Sequence, residues 1–301
     1  MLDIKPYRND NLACGEMVFA TYLEWKRIPH ELMFEHSWGR EFLYTDIPIA
    51  ETSLKKYYNI DLQWNDISME SLVKDTRILE IDKPLALAID LKDADWIESV
   101  YTKAFPIHCI MAIGKSGIDD FICLDPTFSD GIIKFSSRNK RARYAIMEVT
   151  QCKNNDQNFI IEELYNNARL LSTSMLFSEI RNYGKYLSEN LLSNEMRMNY
   201  AELLANANLY RLNRIHKDLL NYASMLNYIS VITNLDLKMF VPKLGERAKH
   251  WELIRNAVTK YYCTGNKGIV AEIGNGVMMA AEKEESLSKE LLEYLNKNLG
   301  N

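Results

Sequence analysis

The chain has 301 residues, 36 basic and 41 acidic, for a formal net charge of −5, with 47% apolar and 26% charged side chains. This balance belongs to a globular protein of one large or two modest domains and excludes a disordered chain. The slight acidity argues against a nucleic-acid binder, and no run approaches the ~18 apolar residues of a membrane span.

The opening, MLDIKPYRND, lacks the apolar core of a secretory signal, so a cytoplasmic location is expected. Cys14, Cys109, Cys123, Cys152 and Cys263 are too few for a disulfide framework in a chain this long and are expected as reduced thiols. ACGEMVFATYLEWKR (13–27) carries apolar side chains all round and predicts a helix buried on most sides. KPLALAID (83–90) predicts a buried strand. IHCIMAIG (107–114) and DDFICLD (119–125) predict a second pair around Lys-Ser-Gly-Ile, and ARYAIMEV (142–149) one more. Six of the seven prolines precede residue 127, and only Gly131 and Gly184 lie between Pro126 and Pro242. From about residue 156 the spacing of Leu164, Ala168, Leu171 and Met175 is helical. The polar run QCKNNDQN (151–158) marks the boundary, giving an α+β domain over 1–152 and an all-α domain over 153–301.

Cys14 falls at the first turn of the predicted helix, where the dipole and unpaired N–H groups favour thiolate over thiol. Cysteine is also among the residue types most often simply buried, so position alone leaves both roles open. If Ser116 and Gly117 form a two-residue turn, paired residue numbers sum to 233 and His108 lies opposite Asp125. A shift of two residues would make the contact diagonal; a shift of one would separate the pair. A carboxylate beside the imidazole fixes its tautomer and favours its protonated form, as a general base requires. Cys109 must then point to the other face, away from any metal site shared with His108.

The order of these residues resembles the papain-like cysteine enzymes: a cysteine opening the central helix, a strand histidine, then an acid closing the next strand. More narrowly, KPLALAID, the linker aromatics Trp96 and Tyr101, and HCIMAIG…ICLDP resemble the C39-type peptidases. The segment is more similar still to the butirosin-biosynthesis acyltransferase family and to papain-like amide synthetases of the closthioamide type. FEHSWGREF (34–42) resembles the glycine-aromatic stretch after that family's first helix. The resemblance spans about residues 9–126 and implies a papain-like fold. It also implies Cys14 as nucleophile, His108 as base and Asp125 as orienting acid. Where such peptidases carry an oxyanion glutamine this chain has Arg8, flanked by Asn9 and Asn11; either asparagine is an oxyanion donor or a helix cap. The implied reaction moves an acyl group from a carrier-protein thioester to an amine. The only cofactor is then phosphopantetheine on the carrier, and no metal is needed. A soluble C39-like peptidase and a non-catalytic scaffold are the rival functions.

Asp90 is a candidate for holding a cationic amine or a structural strand end. Lys134, Arg138, Lys140, Arg141 and Arg143 form a basic cluster suited to an acidic carrier or its phosphate, or to solvent alone. Apolar helices such as LLNYASMLNYISVI (219–232) suit packing within the chain or in a homodimer. GNGVMMAA (274–281) fails as a dinucleotide fingerprint, having no preceding strand and no third glycine. His30 and His36 read as surface or packing residues, His36 also as a possible border of the cleft, and His216 and His250 have no chemical neighbours in sequence.

Overall fold

A computed structural model describes residues 1–43, 49–67, 83–98, 101, 106–117, 119–138, 140–150, 152–193 and 197–299. Ile118 of the expected turn and Gln151 of the expected boundary lie outside them. The chain resolves into two compact units, residues 1–30 with 54–152, and residues 31–53 with 153–301. The passage from first to second unit after Cys152 falls within the polar run, but the division is not a single cut: 31–53, including FEHSWGREF, cluster with the later helices.

In the first unit α1 (Cys14–Trp25) buries Met17, Val18, Phe19, Ala20, Tyr22 and Leu23, so apolar residues all round have produced a central helix. Ala13 is its N-cap, and the buried Glu16 reaches back to accept the Ala13 N–H at 2.7 Å. After α2 (Arg40–Leu43), which belongs to the second unit, and α3 (Ile49–Tyr58), which runs across the division at residue 54, come β1 (Asn65–Asp66), β2 (Leu85–Asp90), β3 (Ile107–Lys115), β4 (Asp120–Leu124), β5 (Ile132–Ser136) and β6 (Ala142–Ile146). They form an antiparallel sheet in the order β1-β6-β2-β3-β4-β5, and with the helices make the chain α+β. One sheet face buries Leu87, Ile89, Ile110, Ala112, Cys123 and Phe135, with Trp96 and Tyr101 packed against them. Gly15 brings α1 against β3: a side chain there would lie 3.8 Å from the Cys109 sulfur, on the face away from Ile110.

The β3–β4 register differs from the two-residue turn expected. The loop is longer, closed by the Ser116 N–H on the Asp120 carbonyl, and a bulge falls between Ala112 and Gly114. The result pairs Met111 with Leu124 and Ala112 with Cys123, two residues from the expected register. Because the shift is even, faces are conserved and His108 meets Asp125 diagonally instead of directly.

The second unit is helical: α4 (Gln157–Thr173), α5 (Leu176–Ser193), α6 (Tyr200–Leu204), α7 (Ala207–Ile232), α8 (Phe240–Thr264) and α9 (Val270–Leu299). Pro242 is tolerated because it sits in the first turn of α8, where N–H groups have no intrahelical acceptor. The glycine-rich segment lies inside α9, and Gly274 there allows a close crossing with α5: an added Cβ would sit 2.3 Å from the Ser188 hydroxyl. The buried Glu284 accepts the indole N–H groups of Trp38, at 2.8 Å, and Trp251, at 2.5 Å.

Candidate active site

Three elements of the first unit deliver the site. Cys14 opens α1, His108 is the second residue of β3, and Asp125 follows the last residue of β4. Strand β4 pairs with β3 from Met111 to Lys115 and ends at Leu124, so β3 around His108 lies beyond that pairing. There the Cys14 sulfur is hydrogen-bonded to the His108 imidazole and receives the backbone N–H groups of Cys109 and Gly15. The imidazole Nε2 is 2.9 Å from Asp125 Oδ2. With Nε2–H donated to the carboxylate, Nδ1 is the nitrogen left for sulfur. His108 is 2% exposed and Asp125 fully buried, while Cys14 is half-buried.

Each member shifts the others. Burial pushes the Cys14 thiol up, but the hydrogen bond and charge of His108, with two backbone N–H groups, outweigh it and hold the thiol below its ordinary value. Burial pushes His108 down, and Asp125 and Cys14 more than reverse this, raising it from 6.5 to about 9. Asp125 is raised by burial and then held below the usual carboxylate range by His108 and Trp96. The thiolate–imidazolium form therefore persists from the lowered Cys14 value up to about 9, and both limits belong to the pair. Cys123, only two residues before Asp125 but in the sheet core, is pushed the opposite way by burial and the Asp125 charge. The acidity of one residue type is thus moved in opposite directions by its surroundings.

The Asp125 carboxylate is saturated with donors. Oδ1 accepts the N–H groups of Thr127 at 3.0 Å and Phe128 at 3.1 Å, while Oδ2 accepts Trp96 Nε1–H at 2.8 Å besides His108. The Phe128 ring packs edge-on to the imidazole, with centroids 5.2 Å apart, and Tyr101 packs on Phe128 at 5.3 Å. The sequence reading missed the part played by Trp96 and Phe128. The Asp-Pro-Thr-Phe step carried a local signal, since an aspartate can cap the N–H groups two and three residues on. Trp96 lies 29 residues from Asp125, and nothing local marks the contact.

The remaining candidates are placed as follows. Neither asparagine caps α1, because Ala13 and Glu16 do. Asn9 Oδ1 accepts the Asn11 N–H at 3.0 Å and the Asn9 carbonyl accepts the Leu12 N–H, building the turn that leads into the helix. Arg8 is ion-paired with Asp130. Asp90 pairs with Ile107, the residue before His108 in β3; its carboxylate caps the turn Leu91–Asp93 through the Lys92 N–H and pairs with the Lys92 ammonium at 2.7 Å. Arg138 pairs with Asp119, before the start of β4 and so at the end of that strand away from Asp125. Lys140 donates to the Asp93 carbonyl at 2.8 Å, Arg143 lies over the Trp64 ring, and Arg141 and Lys134 are exposed. His30 meets Glu24, His36 belongs to the second unit beside Glu35 and Asn167, and His216 and His250 meet helix carbonyls.

Among the described residues no group of three or more His, Cys, Asp or Glu side chains is arranged to hold a metal ion, and no helix is long and apolar enough to cross a membrane. No family model matches the chain, and no curated protein matches it.

Proposed function

We propose that the first unit is a papain-like catalytic unit and that the protein is a cysteine-dependent acyltransferase forming amides from carrier-protein thioesters. The observation that carries this reading is the continuous chain of hydrogen bonds from the Cys14 sulfur through His108 to Asp125. A buried histidine beside an aspartate is commonly structural, and so is a buried cysteine. A cysteine held as thiolate at a helix start by a carboxylate-backed imidazole is an activated nucleophile.

The Cys14 thiolate attacks the thioester carbonyl carbon. The resulting oxyanion is held by the Cys14 N–H and by the side-chain amide of Asn9 or Asn11. The bond from carbon to the carrier sulfur breaks, and that sulfur leaves with the proton of His108. An acyl group now sits on Cys14 and the imidazole is neutral. An amine attacks the acyl carbon, His108 takes its proton, and the carbon–Cys14 bond breaks to restore thiolate and imidazolium. A thioester and an amine become an amide and a thiol; the thioester supplies the free energy, so ATP is not required. Asp125 stays ionised throughout, stabilising the imidazolium whenever it forms and orienting the neutral imidazole in the acyl-enzyme.

The same machinery would serve a hydrolase if water were the acceptor, or a peptidase if the donor were a peptide. Incubation with an acyl-carrier thioester and a diamine, followed by mass analysis of small products, tests the reading. Amide formation that disappears in Cys14→Ala supports it. Free acid alone identifies a hydrolase, and cleavage of peptides without thioester turnover identifies the peptidase. No Cys14-dependent product would remove the enzyme reading. Arg141 and Arg143, exposed on the basic segment, are proposed to dock the acidic carrier. Reversing both charges is expected to slow loading from the carrier while sparing a small thioester; equal effects on the two donors would exclude docking there.

A further inference from the structure

The oxygen of Asp125 that faces the imidazole has a second donor. Trp96 Nε1–H reaches Oδ2 at 2.8 Å, the same atom that accepts His108 Nε2–H at 2.9 Å. Trp96 is partly buried, and a tryptophan taken out of water usually finds some acceptor, so the bond alone could be packing. Two features set this one apart. The carboxylate is already fixed from its other side by the Thr127 and Phe128 N–H groups on Oδ1, so the indole is not needed to hold it in place. The indole also shares an oxygen with the imidazole, and a donor to a carboxylate stabilises its charge and lowers its basicity toward every other partner. Trp96 itself is held: its neighbours Ala94 and Ile97 are buried in the sheet core and joined by the Ile97 N–H to the Ala94 carbonyl.

We propose that Trp96 is a positioning residue of the triad, which through Asp125 Oδ2 limits how strongly His108 holds its proton. The inference rests on the acyltransferase reading only in taking Cys14 and His108 as a working pair. An indole N–H does not titrate, so its pull on Oδ2 is constant across pH. Without it the carboxylate would give its full charge to the imidazolium, which would then be a weaker acid toward the departing thiol.

The test is the rate of Cys14 alkylation by iodoacetamide across pH in the full chain, followed by peptide mass analysis. In the parent protein a thiolate–imidazolium pair gives two inflections, one as the thiolate forms and one near 9 as His108 loses its proton. Trp96→Phe keeps an aromatic ring and removes the donor; the alkaline inflection should move up by about half a pH unit or more. An inflection that stays in place or moves down overturns the role of Trp96. Because burial itself holds His108 down, a rise in Trp96→Phe counts for the donor only if benzothienylalanine, which keeps the fused ring and its packing, gives the same rise. If Trp96→Phe does not fold, benzothienylalanine at this position replaces the N–H with sulfur and carries the same expectation. A parent profile with one inflection at the free-thiol value of about 8.5 instead overturns the pairing of Cys14 with His108.

Discussion

At the residue scale, the site turns on how burial is compensated. His108 and Asp125 are as buried as core residues, yet both are charged, which is tolerable only because every charge has a partner. Asp125→Asn removes the anion beside the imidazolium while keeping the volume. His108 should then lose its proton well below 9, so the alkaline limb of the pH–rate profile moves down, and turnover falls by roughly 10²-fold or more. An unmoved limb would mean that Asp125 only packs. That Cys14, His108 and Asp125 meet was legible in the sequence in part: a helix start, a strand start and an Asp-Pro strand end mark their places, but position alone left Cys14 open and only the family resemblance joined it to the other two. Their spacing was legible only in parity. The loop length and the bulge at Ala112–Gly114 depend on packing that no local pattern encodes, but an even slip preserves which side chains share a face. Asp90 read as a possible substrate ligand because its type and strand-end position fit; the adjacent Lys92 explains it locally.

At the element scale, long apolar runs and helical spacing revealed the main elements, while the short β1 and the half-exposed β5 went unread. Neither carries enough alternating apolar residues to stand out. Glycines separate tight helix contacts from open ones. Gly274→Ala should destabilise the second unit by about 1–3 kcal/mol, because the new methyl meets Ser188 at the α5–α9 crossing. Gly245→Ala, inside α8 with nothing within 4 Å of the added Cβ, should instead stabilise by about 0.4–1 kcal/mol. Thermal unfolding of the two variants checks the contrast, and destabilisation of equal size in both would contradict it.

At the scale of the whole molecule, the two units should respond differently to pH. Burial raises the Glu284 carboxyl of the second unit to about 7 despite the indole donors. The folded form then binds a proton that the unfolded chain has lost above 4.5, so stability falls as pH rises from 4.5 through 7, by about 3 kcal/mol. His108 of the first unit, raised to about 9, contributes stability in full below 6.5 and loses it only as pH rises through 9. Asp125, held low, contributes above the ordinary carboxylate value of about 3.9 and loses it only in stronger acid. Calorimetry at pH 5 and pH 8 should therefore show the second unit weakened at the higher pH, and Glu284→Gln should abolish that difference. The central claim is that Cys14 carries the acyl group. The most direct measurement is the intact mass of the full chain, quenched after mixing with an acyl-carrier thioester. The account predicts one added acyl group, mapped to Cys14, absent from Cys14→Ala and discharged when an amine is added; no adduct, or one that survives in Cys14→Ala, would contradict it.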